Sequence, residues 1–113
     1  MKWYSEVMAR SVYPKKTEFT STEIYHPRNQ KEKNLIRAFL RLKKETEVAR
    51  FLRDILTLPE IEEIANRLEI ATLLLKRHSY ARIAQETGVS TATVTRVSHW
   101  LFKGCGGYQK VLR

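Results

Sequence analysis

Cysteine is almost missing from this chain: Cys105 is the single thiol among 113 residues. That excludes an intrachain disulfide and a cysteine zinc cluster, and the glycines around Cys105 give it no further role. Nowhere does an apolar run approach the ~18 residues needed to cross a bilayer. The opening MKWYSEVMARSVYPKK also lacks the uninterrupted apolar centre of a signal peptide. A cytoplasmic protein with no membrane partner is expected. A glycine-rich phosphate loop is missing too, because the four glycines fall only at 88, 104, 106 and 107. The carboxylates that do cluster, Glu60, Glu62 and Glu63, have no His or Cys near them in sequence and stand where a helix begins. Catalysis is therefore the least supported function, and no metal or cofactor is expected. His78 reads as a helix-end residue.

Acidic residues are the remaining shortage. Twelve Asp and Glu stand against 21 Lys and Arg, for a formal net charge of +9 and a pI near 9.9. That balance favours a polyanionic partner, because neutralising phosphates with Lys and Arg drives most non-specific affinity for nucleic acid. An anionic membrane surface would satisfy the charge equally well, so charge alone does not choose. A chain of this length is one domain that buries only about two thirds of its unfolded surface. A second copy would help to complete its core.

Residues 1–29 show no sustained helical period and include Pro14 and Pro27 among hydroxyl and mixed-charge residues, so an extended or disordered arm is expected. Its aromatic residues Trp3, Tyr4, Tyr13, Phe19 and Tyr25 exceed what a free tail needs, which suggests docking of part of the arm on the folded body. Lys15, Lys16 and Arg28 suit phosphate contacts of the kind N-terminal arms make, but a solvated tail is the commoner behaviour of a terminus and the favoured expectation. Residues 30–113 read as an all-α domain, a helical bundle. Leu35, Ile36, Phe39, Leu40 and Leu42 recur at helical spacing from Gln30 to about Lys44, and Val48, Phe51, Leu52, Ile55 and Leu56 do so from Thr46 to Leu56. A third helix is expected from Leu58 to about Arg77, with Thr57 and Glu60 as a capping box and Pro59 in its first turn. Its acidic start and basic end suit the helix dipole. After Gly104, Gly106 and Gly107, the last six residues are expected to form a frayed turn of helix, with Tyr108, Val111 and Leu112 as the groups able to dock.

The stretch SYARIAQETGVSTATVTRVSHWLFK, residues 79–103, is the informative one. Ser79 caps one short helix, Gly88 permits the positive φ that stops it, and Ser90 caps a second helix. Ala84 is small where the two helices cross, and Val89, Val94 and Val97 are spaced to seat the second on the first. This is the pattern of a helix-turn-helix. The opposite face carries Ser90, Thr91, Thr93, Thr95 and Arg96. Short hydroxyls and an arginine suit entry into a groove about 12 Å wide, where they reach phosphates and base edges without steric conflict. Threonines are poor helix formers, so a run of them calls for a reason beyond local stability. The DNA-contacting set is expected to be Tyr80, Arg82, Gln85, Ser90, Thr91, Ala92, Thr93, Thr95 and Arg96. The competing reading is a non-enzymatic helical adaptor for another protein, with a solvated basic surface.

The run from Leu56 to Tyr108 resembles the tryptophan repressor superfamily, and within it the repressor-like branch called the YerC/YecD family. The resemblance rests on the Leu-Thr that opens the long helix, Arg67, Gly88 at the turn, and the block Ala92-Thr93-Val94-Thr95-Arg96 followed by Ser98. The first thirty residues find no counterpart. The resemblance implies an intertwined homodimer that binds double-stranded operator DNA as a transcriptional repressor, with water carrying many base contacts. It also implies an effector pocket at Arg67, Arg96, Val97 and Trp100, where the tryptophan repressor holds its small-molecule corepressor between two arginines. Here Val97 replaces the repressor's glycine and Trp100 its serine, so both are expected to fill the cavity and tryptophan is disfavoured as a ligand.

Overall fold

A computed structural model of the chain describes Phe19 and residues 21–113. Trp3, Tyr4, Tyr13, Lys15 and Lys16 lie outside the described residues. The described part is all helical: α1 (Gln30–Leu40), α2 (Glu45–Ile55), α3 (Leu58–Leu75), α4 (Tyr80–Thr87), α5 (Thr91–Lys103) and α6 (Gly107–Leu112). Two compact units share α3. One is Tyr25–Ala65, and the other joins the described residues up to Ile24 to Asn66–Arg113.

Helix starts follow the local chemistry. The Asn29 side chain accepts the Glu32 amide at α1. At α3 the Thr57 hydroxyl accepts the Glu60 amide while the Glu60 carboxylate accepts the Thr57 amide at 2.9 Å, the expected capping box. Helix ends depart from expectation in two places. α1 stops at Leu40 instead of Lys44, because the Lys43 and Lys44 amides donate to Glu47 and so belong to the start of α2. α3 stops at Leu75 instead of Arg77. The Arg77 amide donates to Leu74 and the His78 amide to Leu73, and Arg77 takes φ 64 in the left-handed region where such a cap usually has glycine.

The core belongs to the second unit. Every buried apolar side chain among the described residues lies between Ile70 and Phe102: Ile70, Ala71, Leu73 and Leu74 on α3, Ile83 on α4, and Val94, Val97, Leu101 and Phe102 on α5. Burying each of the larger ones contributes about 1.5–3 kcal/mol. In the first unit no residue is buried. There α1 and α2 meet through Phe39 and Phe51, edge to face at 5.3 Å, while Leu35, Ile36, Phe39, Leu40 and Ile55 remain exposed.

Candidate nucleic-acid interface

α4 and α5 are joined by a turn whose geometry follows from three residues. The Ser79 hydroxyl accepts the Arg82 amide and starts α4. Gly88, at φ 76 and ψ 7, ends it, donating its amide to Ala84. Ser90 then caps α5 by accepting the Thr93 amide at 3.2 Å. The two helices pack as the spacing implies: Ile83, Val94 and Val97 are buried, with Ala84 and Val89 half-buried against them. This seating turns one side of α5 outward. Ser90, Thr91, Ala92, Thr95 and Arg96 are exposed, and so are Arg82 and Gln85 on α4.

The expected contact residues differ in what they have free to offer. Arg96 is exposed and makes no ion pair among the described residues, so its guanidinium is available to an outside anion. The Thr95 hydroxyl donates to the Thr91 carbonyl at 3.0 Å and offers an outside partner only its lone pairs and its methyl group. Thr93 is half-buried, its hydroxyl 3.1 Å from that of Ser90, so the pair serves the cap first. Tyr80 is half-buried and packs on the core, presenting less surface than a free contact residue. Ser98 is buried beside the valines.

Glu86 is not among the expected residues, yet it organises this surface. Its carboxylate accepts Arg82 Nε at 2.8 Å, and His78 Nδ1, buried and without a hydrogen bond, lies 3.8 Å away. The bonded Arg82 guanidinium holds the Glu86 carboxyl below the usual carboxylate range. Arg82 is thereby directed along α4, leaving its terminal nitrogens to an anion. The signal is present in the sequence as the i, i+4 spacing of Arg82 and Glu86.

Of the four effector positions, three are exposed and one is in the core. Val97 is buried, filling space on the α4 side of α5 as its branched side chain implies. Trp100 does not enter the core of this chain: it is 44% exposed, edge to face with His99, and its ring edge lies over Gly104. Arg67 and Arg96 are exposed on α3 and α5. Burial raises the phenol pKa of Tyr108, and the charge of Arg67 opposes that rise. An open groove of about 310 Å³ is lined by Asn34, Arg37, Ala38 and Arg41, all on α1 or at its end, and none of the effector positions belongs to it. Among the described residues no group of His, Cys, Asp or Glu could hold a metal ion, and no helix is long and apolar enough to cross a membrane.

The sequence model of the Trp repressor protein family matches residues 30–113, from the first residue of α1 to the end of the chain. The chain belongs to the Trp repressor family. Within this family it is similar to the YerC protein of Bacillus subtilis strain 168, with 41% identity over 78 residues, 69% of this chain and 75% of that protein. Two solved structures share the fold. A TrpR-like protein from Eubacterium eligens superposes with a TM-score of 0.70 at 38% identity, covering 74% of this chain and 87% of that one. A candidate Trp repressor from Staphylococcus aureus gives a TM-score of 0.70 at 35% identity, over 75% and 85%. The likeness to the repressor-like YerC branch agrees with the residues that carried the resemblance, and the all-helical fold agrees with both structures. Phe19 and residues 21–29 lie ahead of the family match.

Proposed function

We propose that this chain is a sequence-specific DNA-binding transcriptional regulator, a repressor in its simplest mode, that acts in the cytoplasm as a homodimer through α4 and α5. One observation supports this most: α5 has a fully seated inner face and an outer face of short side chains with an unpaired arginine. Thr91, Ala92, Thr95 and Arg96 at the start of a helix suit approach to base edges, and the exposed Arg82 and Gln85 suit the flanking phosphates or bases. Ser90 and Thr93 set the angle of approach, and Tyr80 braces α4. The exposed apolar residues of α1, α2 and α3 support a second copy as partner. A two-fold pair would set two such helices ~34 Å apart, one turn of DNA, and so select a roughly palindromic site. For an effector, Arg67 and Arg96 remain the candidate groups, and Val97 in the core argues against tryptophan between them.

The deciding experiment is selection of genomic fragments by the purified chain, followed by titration of a recovered duplex at several salt concentrations. Affinity is expected to fall steeply with salt, and Arg96→Ala to reduce the logarithmic salt slope by about 1 if Arg96 meets a phosphate, or to relax preference at one base position if it meets a base edge. Binding that is absent at low salt on every duplex would refute the proposal and favour the protein adaptor.

A further inference from the structure

We propose that the extended residues Phe19, Ser21, Thr22 and Glu23 form a tertiary cap that positions the outward helix α5, so that recognition by this chain depends on residues ahead of the region it shares with its family. The inference deepens the DNA-binding reading and rests on it.

A helix leaves its last carbonyls without intrahelical donors. The usual local remedy is a residue in the left-handed region just past the end, which brings the following amides back onto those carbonyls. α3 uses Arg77 in this way and α4 uses Gly88. α5 does not. Its cap residue Gly104 sits at φ −83 and ψ −145, outside the left-handed region. The Gly104 amide bonds the Trp100 carbonyl, and three further acceptors, on Leu101, Lys103 and Gly104, are satisfied from elsewhere in the chain. Gln109 of α6 donates its side-chain amide to the Leu101 carbonyl at 3.1 Å. The Lys103 carbonyl takes two donors from Thr22, the amide at 3.3 Å and the hydroxyl at 2.6 Å, and the Glu23 amide reaches the Gly104 carbonyl at 3.5 Å.

Side chains hold the same segment in place. The Phe19 ring lies 4.9 Å from that of Phe102, and the Arg113 guanidinium lies over the Phe19 ring at 4.3 Å from its centroid. Phe19 therefore joins the end of α5 to the end of α6. A Cβ on Gly106 would come within 3.0 Å of the Ser21 hydroxyl, so the joint between α5 and α6 is shaped to admit this segment. Phe102 and Arg96 lie on one helix about 9 Å apart along its axis at 1.5 Å per residue. A force on one end of so short a rod is felt at the other as a tilt about the Val94 and Val97 seat.

The test uses the full chain and its Thr22→Val, Thr22→Ser and Phe19→Ala variants. Two readouts are taken on folded protein: amide hydrogen exchange in the last turn of α5, and affinity for a duplex recovered by selection relative to a random duplex of equal length. Thr22→Val and Phe19→Ala are expected to speed exchange in that turn about fivefold, the loss of one hydrogen bond or less than one anchor. They should also lower the ratio of selected to random affinity at least threefold, a change of about 0.65 kcal/mol at 1.4 kcal/mol per tenfold. Thr22→Ser keeps the hydroxyl and should restore both. Unchanged exchange overturns the cap, and faster exchange with an unchanged affinity ratio overturns its positioning role. A parent chain that binds neither duplex refutes the DNA reading itself, while the exchange result still decides whether the cap exists.

Discussion

Gly88→Ala and Gly104→Ala add the same methyl group at the ends of α4 and α5, and the two should fail for different reasons. At Gly88 the new Cβ would meet nothing within 4 Å. The whole cost lies in the backbone, where φ 76 is a conformation that costs an L-residue roughly 1–2 kcal/mol. Alanine restricts the unfolded chain and returns ~0.4–1 kcal/mol, so the net loss is ~0.5–1 kcal/mol. Asparagine tolerates the left-handed region, so Gly88→Asn should cost less than Gly88→Ala. At Gly104 φ is −83, outside the left-handed region, but an added Cβ would lie 2.3 Å from the Trp100 carbonyl oxygen and 3.1 Å from the carbonyl carbon. Those are backbone atoms, so the last turn of α5 must move, at an overpacking cost of ~2–3 kcal/mol. Thermal unfolding followed by circular dichroism separates the cases. At ~4 °C per kcal/mol for a domain of this size, Gly88→Ala should lower Tm by ~2–4 °C and Gly104→Ala by ~8 °C or more. Equal losses at the two sites, or an asparagine no better than alanine at 88, would refute this division between backbone and steric cost.

Three further outcomes follow from the same structure. Thr57→Ala removes the hydroxyl that accepts the Glu60 amide and should destabilise the chain by ~1 kcal/mol in urea unfolding. Acid should weaken the helix starts: hydrogen bonds from the Thr57 amide to Glu60 and from the Lys43 and Lys44 amides to Glu47 hold both carboxyls below their ordinary values. A carboxyl with a lowered folded pKa contributes stability that is present at neutral pH and lost as pH falls through that lowered value. Glu60→Gln should therefore flatten the acid limb of a stability-against-pH curve. Dilution should lower both Tm and helix content if the homodimer completes the fold, and a Tm independent of concentration over a hundredfold range would count against it.

Local chemistry is legible in the sequence, and long-range chemistry is not. Ser79, Gly88 and Ser90 mark the turn because each position has a demand that few residue types meet: a short acceptor at a helix start or freedom at positive φ. Val94 and Val97 mark the buried side of α5 because only a helical repeat spaces them so. The end of α1 departs from its apolar spacing for a physical reason. Leu42 continues that spacing, but Glu47 draws the Lys43 and Lys44 amides into the next cap, a competition that periodicity does not weigh. Arg77 conceals the end of α3 because a left-handed cap is usually announced by glycine. Of the site, the outward set on α5 is readable. The pairing of Arg82 with Glu86 is available from spacing alone, whereas nothing local links Thr22 to Lys103, 81 residues away. Trp100, expected to fill a cavity, lies on the surface of this chain, while Val97 is buried.

The first unit shows what a second copy would have to supply. α1 and α2 are each 11 residues long, below the length at which an isolated helix holds in water. Their local chemistry is nonetheless complete: Asn29 caps α1, Glu47 accepts the amides ahead of α2, and Thr57 with Glu60 starts α3. Capping contributes about 1 kcal/mol per helix and cannot replace burial, which near 25 cal/mol per Å² stabilises any small domain far more. That burial is what these helices lack, since Leu40 is 78% and Leu58 61% exposed and no residue from 25 to 65 is buried. Helices capped in this way with their apolar faces left open are what the proposed second copy would cover. The DNA-binding proposal makes the same demand, because one outward α5 would read half a site and a two-fold pair the whole. In the proposed homodimer, the contact that completes the fold is therefore also the one that sets the spacing of the two recognition helices.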